Sequence, residues 1–200
     1  GQCAHPGEPP MTCEVGLIQA GASPYRRLTA EQYKNTIQDI LGVAVPDAYL
    51  PATESTLEFR TWNSTNPVST ATAESLLLAS EWVTTAVDLD LFLSCQTDES
   101  EQDCERRAIG TFAQQAFRRP LTAGEEALVL SYIGTGLSRY ETTQMSIQLI
   151  LNLPQFLYLD PSAGAALAEQ TNVAHLDDYA VASRLSYFFL NTTPDAALLE

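Results

Sequence analysis

The chain has 200 residues, 45% of them apolar, and its 25 acidic against 10 basic side chains give a formal charge of −15. That is enough chain for one large domain or two small ones with a real hydrophobic core. Its negative field would repel phosphate backbones and anionic headgroups, so nucleic acid and membrane surfaces are set aside as partners; a soluble acidic domain is the plain reading, a cation or a basic protein the alternative.

No run of eighteen or more apolar residues occurs, and the longest candidate, Met145 to Leu159, is interrupted by Asn152 and Pro154, so no membrane span is expected. No positively charged leader followed by an apolar stretch opens at Gly1, so any secretion signal is expected to have been removed. The cysteines fall in two local pairs, Cys3 with Cys13 and Cys95 with Cys104. Four cysteines allow three connectivities, and two short-range bridges are expected, pointing to an extracytoplasmic location: periplasm, cell surface or medium.

In chain order, residues 1–24 read as an irregular arm pinned by Cys3 and Cys13. Tyr25 to Gly42 carries a helix with Thr29 as cap, Gln32 three residues on, an inward face of Tyr33, Ile37, Ile40 and Leu41, and Gly42 as its stop. Val43 to Val68, with three prolines, reads as a long loop whose aromatics plug the edge of the core. Thr70 to about Val87 is the next helix, with Leu76, Leu77, Ser80, Val83, Ala86 and Val87 facing inward.

An acidic loop, CQTDESEQDC, leads to a helix over Glu105 to Phe117, which the Arg118-Arg119-Pro120 sequence ends. Thr122 and Glu125 form a capping-box pattern opening a second helix from Ala123 to about Gly136, with Leu128, Val129, Tyr132 and Ile133 as its buried stripe. From Glu141 a strongly apolar helix includes Met145, Ile147, Leu149, Ile150 and Leu151 before Pro154 kinks or ends it. Pro161 to Gly164 and the Ala-rich residues after it read as a connection. Asp177 caps a helix through Tyr179, Ala182, Leu185, Phe188 and Phe189, and Thr193-Pro194 starts another. A helix launched so near Glu200 implies a piece of something longer.

The expected fold is all-α, an irregular multi-helix bundle of six to seven helices with long loops and no substantial sheet. Its expected units are the arm (1–24), a first helical unit with its loop (25–93), a helix-hinge-helix unit (94–139) and a third, truncated helical unit (140–200).

Each chemically suggestive set has a bland reading beside it. Cys3, His5 and Cys13 could offer three ligands to zinc, but no fourth is evident and a disulfide beside a solvent-facing histidine is preferred. Asp88, Asp90, Asp98, Glu99, Glu101 and Asp103 lack the spacing and the glycine of a calcium loop and read as a solvated acidic stretch. Arg26, Arg27, Arg118 and Arg119 are four of only ten basic residues. Arg118 and Arg119 are read as a structural clamp at a helix end, free to fork onto carboxylates such as Asp39, Glu125 or Asp195.

No Gly-x-Ser-x-Gly elbow occurs, and His175 reads as a loop residue before the Asp177 cap, so no catalytic constellation is visible and an enzyme assignment stays open. Tyr179, Tyr187, Phe188 and Phe189, with Phe156 and Tyr158, read as a buried aromatic seam; the sharper alternative is an edge for docking haem or quinone.

Three segments, LTAEQYKNTIQDILG (28–42), FAQQAFRRPLTAGEEALVLSYI (112–133), and QLILNLPQFLYL with ASRLSYFFLNTTPDAALL, resemble a known family. It comprises large secreted planctomycete and myxobacterial proteins built from successive domains of unknown function numbered 1587, 1595 and 1592. The resemblance implies an extracytoplasmic scaffold or partner-binding module, the front part of a larger cytochrome-linked, electron-transfer protein. The alternative it leaves is part of an oxidoreductase or carbohydrate-active enzyme whose reactive centre lies beyond residue 200 or in a partner chain. The implied partner is the remaining portion of the same protein or a partner subunit. No Cys-x-x-Cys-His occurs, so no cofactor is expected within this chain, and haem c is expected only in the remaining or partner portion.

Overall fold

A computed structural model describes residues 25–51, 68–159, 163–167 and 170–199. The arm with Cys3, His5 and Cys13, and the loop segment with Phe59 and Trp62, lie outside the described residues.

Helices dominate. α1 (Ala30–Leu41) opens on a complete capping box, in which the Thr29 side chain accepts from the Gln32 N–H and the Gln32 side chain accepts from the Thr29 N–H. It closes on Gly42 at φ 69°, a left-handed position that suits a residue without Cβ. After a short 3-10 turn (Asp47–Tyr49) come α2 (Thr70–Ala86), α3 (Leu89–Leu93) and α4 (Glu101–Phe117). Beyond the Arg118-Pro120 hinge follow α5 (Ala123–Val129), α6 (Arg139–Asn152) and α7 (Pro154–Leu157). α8 (Asp178–Phe189) and α9 (Ala196–Leu199) complete the helices.

The core lies where α1, α2, α4, α6 and α7 converge. Tyr33, Ile37, Val83, Ile109, Ile147, Ile150 and Phe156 are fully buried there, and the ring of Tyr33 meets that of Phe156 edge-on at 5.5 Å. Burial with no partner for its hydroxyl pushes the Tyr33 phenol well above its ordinary pKa. Polar ties cross the packed surfaces: Asn152 donates to the Ser80 hydroxyl at 2.8 Å and Gln144 to the Thr84 carbonyl at 3.1 Å, joining α6 to α2. Tyr49 stacks on Trp82, so the described beginning of the long loop does close one edge of the core.

The structure is all-α in its mass, with several departures from the expected elements. Nine helices, rather than six or seven, occur among the described residues, because α3, α7 and α9 are one-turn pieces too short to show a period. α4 starts at Glu101 on a Ser100 cap, four residues before Glu105, and α6 starts at Arg139 on a Ser138–Glu141 capping box. α5 ends at Val129, and a run of turns follows to Gly134 and Gly136, both at positive φ; Leu128 is consequently exposed.

Two short antiparallel pairs are present. β1 (Arg26–Arg27) pairs with β2 (Tyr158–Leu159), tying residues either side of the helical core. β3 (Ala163–Leu167) pairs irregularly with β4 (Gln170–Leu176), where a plain connection was expected. Alanine is a poor strand former and no apolar alternation marks this stretch, so the hairpin leaves little trace in composition.

Candidate functional site at the Arg118 junction and the outer face of α8

Arg118 stands at the end of α4 with φ 61°, in the left-handed conformation usually given to glycine. Its side chain is almost wholly buried. One guanidinium nitrogen donates to the Gln155 carbonyl at 2.7 Å and the Tyr158 carbonyl at 2.8 Å; the other reaches the Phe156 carbonyl at 3.2 Å and the Tyr187 hydroxyl at 3.4 Å. The guanidinium also lies over the Tyr187 ring, 5.6 Å from its centroid.

These carbonyls belong to the last turn of α7 and to β2, a helix end whose oxygens no intrahelical N–H can satisfy. A fork of five donors on a delocalised cation matches that cluster, where a single ammonium could not. Arg118 therefore serves the end of a neighbouring helix, 37 to 40 residues away in sequence, and takes no carboxylate. The Tyr187 hydroxyl continues the network to Thr36 at 2.8 Å, so α1, α4, α7 and α8 meet at one polar node in the core.

Arg119 turns outward and forks onto Glu125, with both nitrogen–oxygen distances 2.8 Å. Glu125 also closes the Thr122 capping box of α5. The Arg119 hydrogen bonds, helped by Thr122 and working against desolvation, bring the Glu125 carboxyl down to about 2. The pair fixes the angle at which α5 leaves the hinge.

α8 divides the expected aromatic seam. Tyr187 is buried, with Phe156 beneath the junction. Phe188 and Phe189, 76% and 73% exposed, stand together in solvent with ring centroids 4.8 Å apart, and Leu190 is 65% exposed. Val181 and Leu185 lie on the same outer face at helical spacing and are also exposed. The helix is apolar on both sides: Ala180, Ala182, Ser183, Ser186 and Tyr187 pack inward, and 181, 185, 188 and 189 form a second stripe. A count of apolar residues cannot separate the two; the small residues on the packed face can, since they let α8 approach closely.

Cys95 and Cys104 form a disulfide. It closes the acidic loop, which Arg107 also holds through Glu99 and through the carbonyls of Leu93 and Ser94. Asp88 caps α3, Asp103 accepts from the Ser100 hydroxyl at 2.6 Å, and Asp90 accepts from Tyr140 at 2.6 Å. Among the described residues no group of three or more His, Cys, Asp or Glu side chains is placed to hold a metal ion. His175 lies in β4 and is exposed, two residues before the Asp177 cap of α8. Arg26 and Arg184 stand near one another.

Comparison with known families places two of these segments. Residues 26–88 match the family described as Protein of unknown function (DUF1587), and residues 104–160 match Protein of unknown function (DUF1595). The two matched segments stand in succession along the chain. No curated protein and no solved structure matches it. Against these boundaries the polar node acquires a meaning: Thr36 comes from the DUF1587 segment, Arg118 and its carbonyl partners from the DUF1595 segment, and Tyr187 from residues beyond both. The residue that touches all three is Tyr187, and the FRRPLT sequence supplies its partner Arg118. Among the described residues no helix is long and apolar enough to cross a membrane.

Proposed function

We propose that this chain is a helical partner-binding module, the front part of a larger, cytochrome-linked protein working outside the cytoplasm. The observation that carries the reading is the outer face of α8. Two adjoining phenylalanines, each about three-quarters exposed, present roughly 300 Å² of aromatic surface, and Val181, Leu185 and Leu190 extend it. Such a patch, gathered on one helix face, supports an interaction site, because leaving it in water forfeits the stabilisation that burial would provide. The buried side of the same helix is anchored through Tyr187, so a rigid element presents the patch. The Cys95–Cys104 disulfide supports an oxidising compartment, and the electron-transfer setting rests on what the resemblance of the three sequence segments implies.

The partner in this reading is the remaining portion of the same protein or a separate subunit. A photo-crosslinking residue placed at 188 in the full protein, in its native cells, should give one specific adduct or intramolecular link, and the same probe at Glu74 on α2 should not. Material purified through that link should carry a Soret band that shifts on reduction. Equal labelling from both positions would remove the docking surface, and a haem-free spectrum would remove the cytochrome link.

A further inference from the structure

The two halves of the Cys95–Cys104 disulfide have unequal surroundings. Cys95 is exposed and borders an open cleft of about 590 Å³, walled by Glu101 at the start of α4 and by Ser138, Arg139 and Tyr140 at the start of α6. Cys104, one turn into α4, is fully buried. Each sulfur has its own arginine: Arg139 donates to the Cys95 Sγ at 3.7 Å, and Arg107 donates to the Cys104 Sγ at 3.8 Å.

We propose that this bond is a thiol-exchange site, opened by an external dithiol that attacks Cys95. A thiolate of the dithiol reaches the Cys95 Sγ from the cleft, because Cys104 is enclosed. A sulfur–sulfur bond forms to Cys95 as the Cys95–Cys104 bond breaks, and the electron pair of the broken bond leaves on the Cys104 Sγ. The second thiol of the reductant then displaces Cys95. The dithiol is thereby oxidised by two electrons to its own disulfide, and its two protons pass through solvent to the two cysteine thiols. During the attack negative charge is shared by three sulfurs, and guanidinium groups already touch two of them. Glu101, Asp103 and Glu105, on the first turns of α4, oppose that charge, which makes the step depend on the two arginine contacts. The Leu93 carbonyl, 3.7 Å from the Cys104 Sγ, can accept from that thiol once it is protonated. Breaking the bond also leaves the loop in place. Arg107 holds Glu99 through two bonds of 2.9 Å and the Leu93 and Ser94 carbonyls at 3.1 Å, and none of these needs the sulfur bridge. The two thiols stay within reach of one another, so the bond can close again.

The test treats the full, oxidised chain with dithiothreitol in native buffer, quenches with acid, alkylates with N-ethylmaleimide and follows residues 95 and 104 by peptide mapping. The bond should open completely, at a rate proportional to dithiothreitol and flat in urea below the unfolding transition, with the circular dichroism spectrum unchanged. It should close again in oxidised glutathione. With reduced glutathione as a single-thiol probe, the trapped adduct should sit on Cys95. Arg139→Gln should slow opening about threefold, the effect of one partly exposed charge on a developing anion, and Arg139→Lys should restore part of the rate. Arg106→Gln, on the exposed side of α4, should leave it unchanged. The proposal is overturned if the adduct sits on Cys104, or if opening accelerates with urea from the start, since the sulfurs would then be reached only by unfolding. It also falls if Arg139→Gln opens as fast as the wild type or no more slowly than Arg106→Gln, which would leave only the diffuse field.

Discussion

Replacing Arg118 separates the cost of its backbone from the worth of its side chain. A non-glycine residue in the left-handed region costs about 1–2 kcal/mol. Arg118→Ala retains that cost while removing the bonds to three carbonyls at 2.7, 2.8 and 3.2 Å and the contact with the Tyr187 hydroxyl. Hydrogen bonds to a charged group contribute about 1.5–3 kcal/mol each, but four sharing one guanidinium do not add, so the loss should be that of about two such bonds, roughly 3–6 kcal/mol. That is a large part of an ordinary domain's stability of about 5–15 kcal/mol. Arg118→Gly loses the same bonds but relieves the backbone, so it should be about 1 kcal/mol less destabilised than the alanine variant. Arg118→Lys, a point charge able to satisfy one or two carbonyls, should fall between the wild type and alanine. Urea unfolding monitored by circular dichroism, with midpoint and slope fitted for each variant, gives the comparison. A loss below about 1 kcal/mol for Arg118→Ala, or a glycine variant no more stable than alanine, would refute the assignment of Arg118 as the buried tie between the end of α4, α7 and Tyr187.

Glu125→Gln keeps the capping box, since Gln serves at that position, and so isolates the Arg119 pair, whose loss should cost about 1–3 kcal/mol near neutrality. Because the folded carboxyl titrates near 2, below its unfolded value, this stability is complete above about pH 4.3 and is lost as pH falls through about 2; a wild-type advantage independent of pH would contradict the pairing. Glu105 is 5% exposed and is pushed up mainly by desolvation, then by Glu101. Its charge therefore costs stability above its folded pKa and nothing below the unfolded one, so Glu105→Gln should raise Tm at pH 8 and lose that advantage by about pH 4. Replacing Cys95 by Ser and Cys104 by Ala should cost about 2–3 kcal/mol in chemical unfolding, while hydrogen exchange in the 94–100 loop should change little, because Arg107 still holds Glu99 and the Leu93 and Ser94 carbonyls. Fast exchange there would make the disulfide the loop's main constraint.

The local punctuation of the fold was legible in its residues. Thr29 with Gln32 and Thr122 with Glu125 identify two helix starts because a capping box is a short-range device, and Gly42 marks a stop for the same reason. Ser138 and Glu141 carry the same signal, but the apolar run begins only at Met145, which draws the expected start to Glu141 rather than Arg139. The carbonyls that Arg118 serves lie 37 to 40 residues away, and no spacing rule connects them. Phe188 and Phe189 mislead for a different reason: aromatic rings beside a buried tyrosine read as core, and only the placement of the small residues Ala182, Ser183 and Ser186 shows which side packs.

The pairing of Arg26 with Leu159 and of Arg27 with Tyr158 brings both ends of the helical core side by side. Ends that are neighbours can be rejoined by a short linker without straining the helices between them, the contacts of Tyr187 being what such a joined segment would still lack. It also gives residues 26–159 a neck: tension applied at Arg26 and Leu159 themselves loads the few hydrogen bonds of this clasp before it reaches α1 to α7. Those helices stay shielded from such a pull until the clasp unzips, and Tyr187 of α8, packed against Leu28 and Leu159, holds the clasp shut.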